Sequence, residues 1–243
     1  MKVRLDKLLL DRGLVPSRQR AQALILAGRV LVNEQKVEKS GSVVSDDAGI
    51  RLLGDDLRYV SRGGLKLEHA LAHWRIDVAN RVCMDVGTST GGFVDCLLQH
   101  GAARVIAVDT GRGQIAAKLR DDARLRLLED TNARYLTVED APEPVTFLCM
   151  DVSFISATLV LPAVVAAVRP TLAQAVVLVK PQFEAGRDAI SRGGIVRDES
   201  AQAAALERVR EAMRELGALD LDSTDSPITG AKGNREFLLY ARF

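Results

Sequence analysis

VCMDVGTSTGGF, at residues 82–93, joins a strand-like apolar run to a glycine-rich turn. Glycines in such a turn let the backbone approach a ligand closely, and they open a helix whose N-terminal N–H groups face that ligand. Ser89 and Thr90 stand where a G-x-G-x-x-G turn has its tighter glycine spacing, which disfavours a pyrophosphate ligand. The segment therefore predicts the first strand–turn–helix unit of a nucleoside-binding sheet.

Outward from this segment, short aliphatic runs alternate with amphipathic stretches. Strands are predicted at 82–86, 104–108, 125–128, 145–150, 176–179, 219–221 and 237–240. Helices are predicted at 91–100, 114–120, 156–168 and 199–216. This alternation predicts an α/β fold of the Rossmann-like type, with a doubly wound, mostly parallel, seven-stranded sheet.

The N-terminal part of the chain has a different charge and pattern. Residues 1–29 contain seven basic side chains against Asp6 and Asp11. A leucine-rich helix is expected to stop at Gly13, a second helix to run from the N-cap Ser17 to Gly28, and residues 30–37 to form a hairpin. A basic face of this kind suggests a polyanion partner, although an ordinary solvated helix face explains the charge equally well.

A polar, glycine-rich segment at 54–64 separates these two parts of the chain. We therefore predict a small α+β domain at 1–58, a linker at 59–64 and the α/β domain at 65–243.

Composition and pattern narrow the class of protein. The chain has 243 residues, 47% of them hydrophobic and 27% charged, which fits a folded protein with a sizeable core. The longest nearly apolar run, at 157–168, is shorter than the roughly 20 residues of a membrane span. Charge is scattered through the first seven residues, where a secretion signal has an apolar core, so we expect a cytoplasmic protein.

The cysteines and histidines do not form a metal-ligand pattern. Cys83, Cys96 and Cys149 lie among apolar residues with no CxxC spacing, which indicates neither a disulfide framework nor a zinc site. His69 and His73 have the spacing of a zinc pair, but no third ligand accompanies them. No metal is expected.

Acidic residues at the ends of the first two predicted strands of the α/β domain point to a nucleoside cofactor. Asp85 precedes the glycine-rich turn, and Asp109 follows Gly87 by 22 residues, where a carboxylate accepts hydrogen bonds from ribose hydroxyls. Together with the missing pyrophosphate signature, this favours an S-adenosylmethionine pocket over a turn that only packs a helix on the sheet. The candidate cofactor-binding residues are Asp85, Gly87, Ser89, Gly91, Gly92, Phe93 and Asp109.

Four more ionisable residues are predicted to meet at one crevice. Asp151 and Lys180 close the fourth and fifth strands, Glu236 begins the last, and Lys66 lies on the helix that enters the domain. Each alone is best explained as a surface ion pair, but their shared location favours a catalytic site. We name these four residues the tetrad. A ribose hydroxyl is a weak nucleophile, and its methylation needs alignment and a group that takes its proton.

Several motifs carry a family resemblance over nearly the whole chain. SRQRAQALILAGRVLVN, at 17–33, resembles the S4 RNA-binding domain, and the tetrad resembles the Lys-Asp-Lys-Glu set of FtsJ-like ribose 2′-O-methyltransferases. With YVSRGGLKL, GTSTGGF, DVSFIS, VKPQFE and GGIVRD, the chain is similar to the TlyA family, ribosomal RNA cytidine 2′-O-methyltransferases also labelled hemolysins.

The resemblance implies S-adenosylmethionine-dependent methylation of a cytidine ribose, with ribosomal RNA or a ribosomal subunit as partner. From the chemistry of the tetrad we expect Lys180 to act as the base or hydroxyl activator, Asp151 to orient it, and Lys66 and Glu236 to position the ribose. The resemblance adds Asn132 near the adenine. The RNA-binding candidates are Arg4, Arg18, Arg20 and Arg29.

The chain departs from the usual family pattern at Thr88, Arg112 and Asp130, which affects the expected cofactor pocket and not the tetrad. It also ends at Phe243, directly after the last predicted strand, and on that ground we expect 23S rRNA to be the target, with 16S rRNA as the second choice.

Two alternatives stay open at this point. One is an RNA-binding or hemolysin-like protein without methyltransferase activity, although no cationic amphipathic helix or membrane-length segment supports lysis. The other is a methyltransferase that acts on a protein or a small molecule. The sequence does not set the oligomeric state.

Overall fold

A computed structural model describes residues 2–15, 17–53, 58–186, 191, 193–230 and 233–243. The chain divides into two compact units, Met1–Asp56 and Leu57–Phe243. Residues 54–57, which belong to the predicted boundary segment, lie outside the described residues. The predicted linker at 59–64 falls within the second unit, because Tyr59 is buried in that unit's core and a helix begins at Gly63.

The first unit is a small α+β domain. Its elements are β1 (Lys2–Arg4), α1 (Leu5–Asp11), α2 (Arg18–Leu26), β2 (Val30–Val32), β3 (Gln35–Val37), β4 (Val43–Ser45) and β5 (Ile50–Leu52). Strand β2 pairs antiparallel with both β3 and β5, and β1 pairs antiparallel with β4. The two helices pack through buried aliphatic side chains, among them Leu5, Leu9, Leu24 and Ile25.

Local sequence signals account for the boundaries of these elements. The Ser17 side chain accepts a hydrogen bond from Arg20 N and caps α2, as predicted. The hairpin expected at 30–37 is also present, and its turn residues Asn33 and Glu34 have φ values of 48° and 65°. Polar residues tolerate this left-handed conformation in tight hairpin turns.

The second unit is an α/β domain. Its main elements are α3 (Gly63–His73), β6 (Val82–Val86), α4 (Gly92–Gln99), β7 (Arg104–Val108), α5 (Ala117–Arg120), β8 (Leu125–Leu128), β9 (Phe147–Met150), α6 (Leu161–Val168), β10 (Gln174–Val179), α7 (Pro181–Glu184), α8 (Glu199–Glu215), β11 (Asp220–Asp225) and β12 (Phe237–Arg242). Short 3₁₀ helices lie at Ala133–Tyr135 and Ala157–Leu159.

The described residues of this unit form a seven-stranded sheet in the order β11-β12-β10-β9-β6-β7-β8. The pairings among β10, β9, β6, β7 and β8 are parallel, whereas β12 is antiparallel to both of its neighbours. The doubly wound, mostly parallel sheet predicted from the sequence is confirmed.

Both faces of the sheet are covered, which explains the continuous aliphatic runs of its central strands. Alternate residues of each strand enter different clusters: Met84 and Leu148 belong to one hydrophobic cluster, and Cys83 and Phe147 belong to the other. The three cysteines are buried free thiols, and burial raises the pKa of Cys83 to about 12. They act as core residues.

The strand order reverses between β6 and β9, because the chain proceeds from β6 to β7 on one side and returns to β9 on the other. In doubly wound sheets, ligands bind beyond the carboxyl ends of the strands at such a point. Residues that follow β6, β7, β9 and β10 are therefore brought to one edge of the sheet.

A buried carboxylate holds the segment that enters this unit. Asp95 of α4 accepts a hydrogen bond from Val60 N at 2.7 Å, and Lys118 Nζ of α5 lies 2.9 Å from the same oxygen atom. These contacts tie the residues before α3 to two helices beside the glycine-rich turn. No helix in the described part of the chain combines the length and apolarity that a membrane crossing requires.

Candidate active site

A cavity of about 450 Å³ lies beyond the carboxyl ends of β6, β7 and β9. Four of the predicted cofactor-binding residues line it, namely Gly87, Ser89, Asp109 and Asn132. Its volume lies within the roughly 300–1,000 Å³ range of pockets that bury most of a small-molecule ligand. We call it the first cavity.

The Asp109 carboxylate is held in place by backbone amides. Its Oδ2 accepts a hydrogen bond from Ser89 N at 2.7 Å, and its Oδ1 accepts one from Gly111 N at 2.6 Å. Each carboxylate oxygen has a second lone pair, so the group can also accept hydrogen bonds from a ligand. This is the chemistry that vicinal ribose hydroxyls require.

Gly87 determines how closely the turn after β6 approaches β9. Its φ is 87°, and a Cβ atom built on it would lie 2.4 Å from the carbonyl oxygen of Asp151. An L-residue would be strained by the dihedral angle and would also push against the backbone. Only glycine lets the two strand ends meet at this distance.

Asp85, Gly91, Gly92 and Phe93, which were also predicted as cofactor-binding residues, do not line the first cavity. Phe93 is buried in a hydrophobic cluster, and Gly91 is the N-cap residue of α4. A Cβ atom on Gly92 would lie 2.2 Å from Ser61 Oγ and 3.0 Å from Gly64 N. Gly92 therefore allows α3 to pack against α4.

Asp85 is fully buried beneath the turn. Its Oδ1 accepts a weak hydrogen bond from Cys149 Sγ at 3.6 Å, whereas its Oδ2 has no hydrogen-bond partner among the described residues. Burial raises the pKa of Asp85 to about 7, and the nearby Asp151 carboxylate acts in the same direction. The carboxyl group of Asp85 therefore changes its ionisation state near neutral pH.

The donors and walls of the first cavity fit S-adenosylmethionine. Asp109 suits the ribose hydroxyls, and Asn132 lines the cavity while its Oδ1 accepts a hydrogen bond from Arg134 N at 3.1 Å. The aliphatic side chains that line the cavity provide an apolar surface suited to adenine; they are Val86, Val108, Val152, Ile155 and Val160.

A second cavity, of about 660 Å³, adjoins the first. Ser153 and Phe154 line both cavities, so the two share a wall. Lys66, Lys180 and Glu236 line the second cavity, and Asp151 lines the first. The structure thus brings the tetrad together around the junction of the two cavities.

The tetrad consists of two ion pairs. Lys66 Nζ donates to Glu236 Oε2 at 2.5 Å, and these side chains are 10% and 2% exposed. Lys180 Nζ lies 2.5 Å from Asp151 Oδ1 and donates to Ser153 Oγ at 2.7 Å. A buried charge without a partner costs several kcal/mol, so each side chain of a pair offsets the cost of burying the other.

Several residues around the second cavity were not predicted from the sequence. Phe154 is 92% exposed at a φ of 64°, and its ring lies 5.3 Å from that of Phe183. Arg62 also lines this cavity. The signal for Phe154 and Phe183 was available, because each lies three residues after a tetrad residue that directly follows a strand.

Glu184 connects the two loops that carry Asp151 and Lys180. Its Oε2 accepts a hydrogen bond from Ser156 Oγ at 2.5 Å, and its Oε1 accepts one from Ala157 N at 2.7 Å. Burial raises the pKa of this carboxyl group. The loop after β9 is thus fastened to α7, which begins directly after Lys180.

The RNA-binding candidates lie in the first unit. Arg4 precedes α1 and Arg18 begins α2, and both contact the carboxylate of Asp6. Arg20 is partly buried on α2, and Arg29 is exposed before β2. The structure therefore brings Arg4 and Arg18 together around one buried group.

The remaining sequence features are peripheral. Arg112 Nη1 lies 3.7 Å from Asp130 Oδ2, so two of the residues that depart from the family pattern face each other. The His69 and His73 rings are 5.8 Å apart and stacked. Within the described ranges, no group of three or more His, Cys, Asp or Glu residues could hold a metal ion.

Comparisons with known proteins agree with this geometry. Residues 59–243 match the FtsJ-like methyltransferase family, and residues 3–50 match the S4 domain. A solved structure from Streptococcus thermophilus, described as a candidate hemolysin, is 43% identical with a TM-score of 0.75; the match covers 99% of this chain and 88% of that one. The resemblances to the S4 domain and to FtsJ-like methyltransferases are confirmed.

Two named relatives match along nearly the whole chain. The 16S/23S rRNA (cytidine-2′-O)-methyltransferase TlyA of Mycobacterium tuberculosis is 43% identical over 242 residues, covering 99% of this chain and 90% of the relative. The 23S rRNA (cytidine-2′-O)-methyltransferase TlyA of Campylobacter jejuni is 33% identical over 243 residues, covering 92% and 93%.

Gly87→Ala is expected to weaken S-adenosylmethionine binding by about tenfold or more, because dihedral strain and the contact with Asp151 both displace the turn. Isothermal titration calorimetry measures the affinity. Gly101→Ala is the matched control, since Gly101 has a φ of 84° and its Cβ would make only an ordinary 3.6 Å contact with Ala79. Equal affinities for Gly87→Ala and the wild type would contradict the role of Gly87.

Asp85→Asn is expected to remove a pH-dependent loss of stability. The folded protein keeps the Asp85 proton up to about pH 7, whereas the unfolded chain releases it near pH 4. Wild-type stability therefore falls between those values, by up to about 1.4 kcal/mol per pH unit, and the variant lacks this contribution. Urea unfolding at pH 5 to 8, followed by the fluorescence of Trp74, measures the difference; a constant difference would contradict it.

Proposed function

The chain belongs to the FtsJ-like methyltransferase family and carries an S4 domain ahead of the catalytic unit, and on this premise we propose that it methylates the 2′ hydroxyl of a cytidine ribose in ribosomal RNA. The methyl donor in this proposal is S-adenosylmethionine. The tetrad is its catalytic machinery, and the first and second cavities are its donor and acceptor sites.

One observation carries the proposal: two largely buried lysine–carboxylate pairs lie where the two cavities join. Lys180 and Asp151 lie beside the shared wall formed by Ser153 and Phe154, and Lys66 and Glu236 line the acceptor side. A site that moves a methyl group from a nucleoside donor to a weak oxygen nucleophile needs two adjoining cavities with a proton acceptor near their junction.

The donor site would be formed by this chain's own groups. Asp109 would accept hydrogen bonds from the ribose hydroxyls, and the Gly87 turn would approach the donor through its backbone. When bound, S-adenosylmethionine supplies a sulfonium methyl group that an oxygen nucleophile takes up in a single displacement. The partly buried setting limits competing attack by water.

The acceptor side then has to orient the hydroxyl and remove its proton. Lys180 Nζ, in its neutral form, is the group proposed to receive that proton. The amine is oriented by its contacts with Asp151 Oδ1 at 2.5 Å and with Ser153 Oγ at 2.7 Å. Lys66, held by Glu236, can donate hydrogen bonds to the ribose oxygen atoms.

The nucleotide base would be held by the aromatic residues of the second cavity. Phe154 exposes nearly its whole ring, which suits stacking with a base that has left its helix. Arg62, on the same cavity, suits a phosphate group. These two side chains extend the site beyond the tetrad toward RNA.

The relatives suggest which RNA is methylated. The M. tuberculosis protein is named for 16S and 23S rRNA, and the C. jejuni protein for 23S rRNA. Because 23S rRNA is common to both names, we propose it as the first substrate of this chain and 16S rRNA as the second.

The proposal is tested by transfer of labelled methyl from S-adenosylmethionine to separated ribosomal subunits that lack the modification. We expect label in a cytidine ribose of the large subunit. Lys180→Ala is expected to lower the transfer rate by at least about 100-fold, because the proton acceptor is lost. Single-turnover kinetics measure this rate.

Arg214→Ala is the control. Arg214 makes exposed ion pairs with Glu207 and Glu211 on α8 and lines neither cavity, so the rate is expected to stay near that of the wild type. Label in protein or in a small molecule instead of RNA would support the other methyltransferase alternative. No transfer to any acceptor, together with RNA binding, would support the non-catalytic alternative.

Glu184→Ala is expected to lower the transfer rate by about tenfold to a hundredfold, because a small misplacement of the loop after β9 disturbs alignment. Ser156→Ala removes one of the two hydrogen bonds and is expected to have a smaller effect. The double variant should be no slower than Glu184→Ala alone. Additive effects of the two substitutions would show that these residues act independently.

A further inference from the structure

Asp6 is a fully buried carboxylate in the first turn of α1. Its Oδ1 accepts a hydrogen bond from Arg4 Nε at 3.1 Å. Its Oδ2 accepts hydrogen bonds from Arg4 Nη2 at 3.0 Å, Arg18 Nε at 3.0 Å and Gln22 Nε2 at 2.8 Å. The hydrogen bonds from Arg4 hold the pKa of this carboxyl group well below its usual range, so it stays ionised.

The two arginines present their remaining donors outward. Their side chains are 49% and 51% exposed, although each guanidinium is fixed to a buried oxygen. Arg4 donates hydrogen bonds to Asp6 from Nε and Nη2, and Arg18 donates one from Nε. A guanidinium has five N–H donors, so Nη1 of Arg4 and both Nη atoms of Arg18 can still donate to an acceptor outside the protein.

We propose that Asp6 is a positioning residue for RNA, which holds Arg4 and Arg18 as a preformed pair that binds neighbouring phosphates of the RNA backbone. The inference rests on the proposed function, because it deepens how the rRNA substrate is bound. A free arginine loses rotamer freedom when it binds a phosphate, whereas an arginine already fixed to a carboxylate loses less. The guanidinium fork also matches phosphate oxygens in a defined direction.

Simple electrostatics predicts the opposite effect of removing Asp6. RNA is a polyanion, and the loss of a negative charge from the unit that binds it should strengthen binding. If Asp6 orders the two arginines, the same loss should weaken binding, because both guanidinium groups lose their anchor. The sign of the change in RNA affinity therefore separates the two explanations.

The test measures binding of the full chain to large ribosomal subunits that lack the methylation, as a function of salt concentration. Asp6→Asn is expected to weaken binding by about tenfold despite the more favourable net charge. The slope of log affinity against log salt concentration should fall in magnitude by the amount that corresponds to the loss of about two phosphate contacts. A purely structural role of Asp6 would not produce this change in slope.

Asp11→Asn is the matched control, because Asp11 is an exposed residue of the same helix and its substitution changes the net charge by the same amount. Its affinity is expected to equal that of the wild type or to increase slightly. Circular dichroism of each variant reports whether the chain is folded. Calorimetry with S-adenosylmethionine reports whether the catalytic unit is intact.

Arg4→Lys and Arg18→Lys decide the question if Asp6→Asn does not fold. Both keep the charge and leave a cation beside Asp6, but they remove the planar fork. Weaker RNA binding by these variants is expected, and unchanged binding would overturn the proposal. Asp6→Asn that is folded and binds RNA as tightly as the wild type, or more tightly, would also overturn it.

Methyl transfer by the wild type is measured on the same subunits. If the wild type labels rRNA and Asp6→Asn binds normally, only the role of Asp6 fails. If the wild type does not label rRNA, the proposed function fails, whatever the effect of Asp6→Asn on binding.

Discussion

The close approach of two backbone segments at Gly87 is the constraint on which the catalytic unit depends. The turn after β6 and the end of β9 meet at a distance that leaves no room for a Cβ atom. Because Asp151 follows β9, this contact sets the position of a tetrad residue relative to the cofactor turn. The sheet could tolerate a looser turn, but the two cavities would then no longer join at the tetrad. The absence of a Cβ atom at Gly87 is therefore required both by the packing of the turn against β9 and by the position of Asp151.

Charge compensation supplies the second constraint. The tetrad places two lysines and two carboxylates in largely buried positions, and burial of any one of them alone would be unfavourable. Arranged as two pairs, the side chains offset the cost of each other's burial and keep fixed directions. Glu184 and Asp95 are further buried carboxylates that hold loops to helices, so ordered polar contacts maintain the geometry around the cavities.

The parts of the molecule that sequence predicted well are those with a strong hydrophobic pattern. Strands β6, β7 and β8 lie at the predicted residues because each has a clear aliphatic run, whereas β11 extends to Asp225 through polar residues that give no apolar signal. The polar strand β1 was missed for the same reason. In the site, Gly92 and Phe93 were predicted beside the cofactor because a glycine-rich turn serves ligand approach and helix packing alike, and spacing does not separate these uses. Phe154 was missed because an aromatic side chain is usually buried, whereas this ring is exposed.

The formal charges of the tetrad cancel. A set of groups with no net charge gives a polyanion little long-range attraction, so attraction has to come from other basic residues of the chain. Under the proposed function, the residues that determine how strongly RNA is held can therefore change while the tetrad stays the same. Evolution could retarget such an enzyme by altering or exchanging the N-terminal module, without rebuilding its catalytic centre.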